Sequence, residues 1–179
     1  TRRSSDLTTT SATTLKTTQG DLTLKKNIAA TNNTVSLNIA GSVLRDANAI
    51  ATDGIIKANA LRIKANGVGT SGNRVMTEVS TLAMDTLGDQ YVSEADGVTL
   101  AAKTSGGKID VETRNGTLTV GNVSDVNNTT IQGITTTGTG NITLSGTYTG
   151  SNFWTPGISI NSTIEGAGNI KITGQSSAG

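Results

Sequence analysis

Short apolar-polar-apolar triplets, led by glycine or asparagine, recur along this chain and constrain its fold more than any other feature. They stand as Gly20-Asp21-Leu22-Thr23-Leu24, Asn59-Ala60-Leu61-Arg62-Ile63, Gly140-Asn141-Ile142-Thr143-Leu144 and Gly168-Asn169-Ile170-Lys171-Ile172. Between Gly97 and Asn122 three more crowd together, Val98 to Leu100, Ile109 to Val111 and Leu118 to Val120, separated by Ser105-Gly106-Gly107 and Asn115-Gly116. Alternation with period two makes a strand with one buried face, and Gly and Asn supply the conformations of sharp turns. A three-residue strand cannot stand as a sheet, so each triplet must pair with others. The intervals Leu37 to Leu61, Val98 to Leu118 and Leu118 to Ile142 stay between 20 and 24 residues. That is the repeat size of a solenoid, whose units bury their apolar faces only by stacking.

The expected fold is therefore all-β, a right-handed parallel β-helix over residues 20–179, with roughly seven to nine coils of ~4.8 Å each and a length of about 40 Å. Its inward side chains are expected to run from Leu22, Leu37, Leu61 and Ile63 through Val98, Leu100, Ile109, Val111, Leu118 and Val120. Ile142, Leu144, Ile158, Ile170 and Ile172 complete the set. Residues 1–19 carry Arg2 and Arg3 and then a Thr-rich run with only Leu7 and Leu15 as large apolar groups. They are expected to form a flexible or strand-donating arm, since Thr favours strands but has little here to bury.

Composition supports a narrow core. Only 2% of the 179 residues are aromatic and 34% are hydrophobic, too few large side chains for an ordinary globular interior. Lys and Arg number 14 against 13 Asp and Glu, a balance that gives no electrostatic footprint for nucleic acid or an anionic membrane. Cys and His are both absent. Disulfides and thiolate chemistry are thereby excluded, and the commonest general base and metal ligand is missing. No cofactor is called for. No apolar run reaches membrane-spanning length, and no signal-peptide core follows Thr1 to Asp6, so the chain is read as a processed product or an excised piece.

The stretch from Leu61 to Asn122 resembles the repeats of very long bacterial surface adhesins of the filamentous haemagglutinin class. The features carrying the resemblance are a glycine-rich corner at Gly67 to Asn73, the segment Thr77 to Leu82, and the segment Val92 to Leu100 ending in Val-Thr-Leu. More loosely it extends over residues 20 to 175. The resemblance implies a right-handed parallel β-helix and a secreted adhesin or fibre on a bacterial surface.

Three stretches compete as sites. Tyr148, Phe153 and Trp154 hold three of the four aromatic rings and lie on one loop closed by Pro156, the sole proline. An exposed ring stacks on a sugar face, so this loop is the candidate carbohydrate contact; the competing reading is that the rings cover an apolar flank. Asp85, Asp89, Glu94 and Asp96 form an acidic cluster without a calcium-loop pattern, and are expected to occupy solvated corners. Lys103, Lys108 and Arg114 lie near them in sequence, as a lyase would require, but no pattern makes them converge. Asn-x-Ser/Thr triplets begin at Asn32, Asn115, Asn122, Asn127, Asn128, Asn141 and Asn161. The resemblance makes glycosylation conceivable at Asn32, Asn127, Asn128 and Asn161, whereas hydrogen-bonded Asn ladders at the corners are the structural alternative. The functional expectation is a non-catalytic structural or adhesive rod that joins copies of itself end to end, or continues a longer repeat chain, and meets glycans or neighbouring cells. A polysaccharide-binding or polysaccharide-processing protein on the same scaffold is the alternative.

Overall fold

The computed structural model describes residues 6–152 and 154–177 and shows an all-β chain without a helix among them. A 14-stranded sheet holds most of the strands, and its pairings are parallel. The longest members, Ile28–Asn38, Ile55–Ala65 and Val75–Thr86, lie side by side, Val35 facing Leu61 and Leu61 facing Leu82. Shorter strands continue the same order. Gln90–Glu94 and Ile109–Thr113 run alongside Val75–Thr86 at one end, while Val98–Thr104 and Leu118–Val120 follow at the other.

Register converts the triplets into columns of like residues across the sheet. One column reads Val35, Leu61, Leu82, Leu100, Val120 and Ile160. A second reads Leu37, Ile63, Met84, Ala102, Ile134 and Ile164. A third, Val75, Val92, Val111 and Leu144, points into the same buried cluster. Along each column an apolar side chain sits within a strand spacing of the next, and small branched residues fill the layer without aromatic rings. Ile160, at the end of the first column, is 51% exposed.

The corners explain why glycine leads the triplets. Gly88, Gly107, Gly140 and Gly168 lie over one another: a Cβ at Gly107 would collide with the carbonyl of Gly88, one at Gly140 with that of Gly107, and one at Gly168 with that of Gly140. Beside them runs a polar ladder. Asp21 Oδ1 accepts the Ser42 amide at 2.7 Å, Asp89 Oδ1 the Lys108 amide at 2.8 Å, and Asn141 Oδ1 the Asn169 amide at 3.0 Å. These bonds satisfy amides that a turn leaves open. Gly140→Ala should therefore lower stability by about 2–4 kcal/mol through backbone displacement, read as a fall in the urea midpoint. A midpoint unchanged from the parent would show that the corner has room.

Several expectations need correction. Ile170 and Ile172 are 45% and 41% exposed, and Ile158 and Leu22 are half-buried. Ile170 and Ile172 pair with Ile142 and Leu144 on one side only, so no described strand covers their other flank. Leu118 does not face Ile142, as the sequence interval implied; it faces Val98 and Ile158. Ile142 faces Ile109 instead, and between Leu118 and Ile158 the chain inserts two excursions that no triplet announced, the antiparallel hairpin of Asn122–Ser124 and Thr130–Gln132 and the loop between Tyr148 and Ile158. Ala29 to Thr34, expected as a loop, belongs to the strand Ile28–Asn38 and carries an irregularity between Ala30 and Thr34, where Asn32 has φ 66°. In the Thr-rich arm, Leu7–Thr8 and Thr13–Lys16 pair in parallel with Ile28–Asn38 of the same chain, Leu15 facing Leu37. Arg2 and Arg3 lie outside the described residues.

Candidate functional site

The hairpin builds one side of a surface groove. Val123 and Ile131 project from it onto Ala83 and Ala101, forming a second buried cluster on the outer side of the parallel sheet. Alanine at those two outward positions lets the hairpin approach closely. Asp125 Oδ1 accepts the amides of Asn127 and Thr129 at 2.8 and 2.9 Å, which shapes the turn. Asn128, at φ 61°, accepts a hydrogen bond from Arg62 Nη1 at 2.6 Å and pins the tip to the sheet. At the base, Gly133 has φ +64° and no room for a Cβ against the Thr163 carbonyl, so only glycine returns the chain to the sheet there.

Between hairpin and sheet lies a groove of about 490 Å³. Its floor is one outward row in register, Asp85, Lys103, Thr135 and Glu165, one residue from each of four neighbouring strands. Thr130, Ile131 and Gln132 of the hairpin form one wall, and the Ser105 and Thr137 corner forms the other, tied by Thr137 Oγ1 donating to the Ser105 carbonyl at 3.1 Å. Lys103 Nζ stands 3.2 Å from Asp85 Oδ2. Glu165 is exposed and has no ion-pair partner among the described residues.

The sequence-derived site residues are dispersed. Trp154 is 93% exposed, its amide bonded to Asn152 Oδ1 at 3.1 Å, while Tyr148 is half-buried and packs over Gly150. Phe153 lies outside the described residues. Trp154 therefore covers no apolar flank, and its ring faces solvent. In the acidic cluster, Asp85 belongs to the groove, Asp89 accepts from the Tyr91 hydroxyl at 3.2 Å as well as from Lys108, and Asp96 is exposed. Glu94 overturns the expectation of a solvated corner. It is fully buried, with Oε2 accepting the Thr77 hydroxyl at 2.5 Å and Oε1 accepting the Val79 and Ala95 amides at 3.0 Å each. Burial pushes its carboxyl up to about 7, and the charge of Asp96 adds to that, against the downward pull of the three hydrogen bonds. Of the basic residues, Lys103 lies in the groove, whereas Lys108 and Arg114 are exposed at separate corners. Among the described residues no group of three acids could hold a metal ion.

The sequon asparagines divide by use. Asn115, Asn122 and Asn141 accept hydrogen bonds from Thr149, Ser162 and Asn169 of the next passage, the last of them an Asn-to-Asn rung of the expected ladder. Asn128 holds Arg62, and Asn161 Oδ1 accepts from Ser159 at 3.2 Å. Asn32 is exposed at the irregularity within the strand Ile28–Asn38, and Asn127 is exposed on the hairpin turn. Sequence reasoning missed the groove. Its available signals were the alternation of Val123 and Ile131 about Asn127-Asn128 and the two alanines in an outward row otherwise occupied by Ser36 and Arg62. Comparison with models of known families, with curated proteins and with solved structures gives no match.

Proposed function

We propose that the chain is a right-handed parallel β-helix serving as a non-catalytic, adhesive rod of a bacterial surface or extracellular fibre. The observation carrying this reading is the set of inward apolar columns in parallel register, through which successive passages share one core. Such a body has one long axis and a repetitive exterior, which suits spacing and surface contact more than chemistry. The dispersion of Asp89, Glu94, Asp96, Lys108 and Arg114 supports the non-catalytic part, since general acid and base must converge on one bond. Resemblance to filamentous haemagglutinin repeats supports the location. The exposed flanks of Ile170 and Ile172 and of Leu7 call for a further layer, supplied by more of the same polypeptide or by another copy stacked end to end.

Electron microscopy of the purified chain should show short rods, and incubation with a panel of polysaccharides should release neither reducing ends nor unsaturated products. Reproducible release that disappears on changing Lys103 or Asp85 would replace the adhesive reading with an enzymatic one. Compact round particles would dismiss the rod.

A further inference from the structure

The hairpin residues 122–132 lie outside the parallel sheet, in a two-stranded antiparallel sheet of their own. Ile134–Thr136 pairs with Val98–Thr104 just beyond Leu118–Val120 in the same outward-and-inward register, and the hairpin contributes no strand to those columns. The excursion is nonetheless fixed by a dry contact with Ala83 and Ala101, a bond from Arg62 to its tip and a glycine at its base. Rigid placement of an added element on a regular scaffold is how repeat proteins build binding surfaces. Its consequence here is the groove, whose volume of about 490 Å³ falls in the range of small-ligand sites.

The lining defines the ligand. Hydroxyls of Thr130, Thr135 and Thr137, the Gln132 amide, the Lys103 ammonium and the Asp85 and Glu165 carboxylates offer donors and acceptors along the whole length. Ile131 also lines the hairpin wall, but its side chain is buried against Ala83 and Ala101, so the accessible lining is polar. Two carboxylates against one ammonium disfavour an anion, and Lys103 at the centre of the floor disfavours a cation. What remains is a neutral molecule rich in hydroxyls, and the groove is open to accept a chain rather than closed around a single small molecule. Building on the adhesive reading above, we propose that this groove binds a short neutral oligosaccharide, with Glu165 and Gln132 bonding its hydroxyls.

The test is an array of neutral and acidic oligosaccharides, followed by calorimetry on the best ligand with the full chain. At least one neutral oligosaccharide should bind. Glu165→Gln and Gln132→Ala should each weaken it by ~10-fold, and Thr135→Trp, which fills the floor from an outward strand position, should abolish binding. Circular dichroism should show all three variants folded as the parent. Trp154→Ala should leave the affinity unchanged. Absence of any neutral ligand, preference for acidic sugars, indifference to Thr135→Trp, or loss in Trp154→Ala in place of the groove variants would each overturn the proposal. Rods seen by microscopy together with no glycan binding would remove the groove assignment alone, whereas compact particles would remove the rod.

Discussion

Replacing Leu118 by aspartate is expected to cost at least about 4 kcal/mol, enough to unfold a domain of ordinary stability. Leu118 is fully buried, with Val98 on one neighbouring strand and Ile158 on the other, and every residue in its column is apolar. A carboxylate there would meet no cation and no amide that is not already committed to the sheet. It would have to remain charged without solvent or take up a proton, and either choice carries the penalty of an unpaired buried group. Leu118→Ala removes only contacts and should cost about 2–5 kcal/mol.

The control lies one residue along. Thr119 pairs with Thr99 and Ser159 in the outward row, so Thr119→Asp should change stability by less than about 1 kcal/mol. Urea midpoints followed by far-ultraviolet circular dichroism give the comparison. Because side chains alternate faces, a register slipped by one residue would exchange the two results. Equal losses at Leu118 and Thr119 would therefore sink the assignment of inward and outward rows throughout this part of the sheet.

The inward columns were readable from sequence because a buried face leaves a period-two trace in any strand, however short: Leu61-Arg62-Ile63 and Leu118-Thr119-Val120 announce themselves. The glycine before such a triplet was readable too, although its reason is three-dimensional, the close approach of Gly107 and Gly140 backbones. Intervals were harder. Val98 to Leu118 is a true neighbour relation, while Leu118 to Ile142 is not, because Ile142 joins the Ile109 column and the hairpin and the loop before Ile158 postpone Leu118's next layer, insertions a fixed repeat cannot anticipate. The groove was invisible for a related reason. Asp85, Lys103, Thr135 and Glu165 are far apart in sequence, and only the register of four strands brings them into one row. Trp154 was found because a lone aromatic cluster stands out in composition, yet composition says nothing about which way a ring faces.

Glu94 shows the same limit, and it yields the second large effect. In sequence it sits between Ser93 and Ala95 ahead of an Asp-Gly turn, and reads as a surface acid. In the sheet it occupies the column that holds Ile56 and Thr77 on one side and Thr113 and Gly146 on the other, an inward column that turns polar midway. Its three hydrogen bonds hold the carboxylate but do not replace the lost water, so its proton is bound more tightly in the folded chain, at about 7, than at the ordinary value of 4.5. An acid raised in this way stabilises the fold when protonated. Between those two values the native state carries more protons than the unfolded chain, so stability falls as pH rises. The loss should total about 3 kcal/mol and be complete above about pH 7. Glu94→Gln keeps an acceptor for the Val79 and Ala95 amides and cannot ionise. Its urea midpoint should be nearly flat over the same range and should exceed that of the parent at about pH 8, while the contributions of all other acids cancel in the difference between the two proteins. A variant with the parent's full pH slope would place Glu94 in contact with water and remove it from the core.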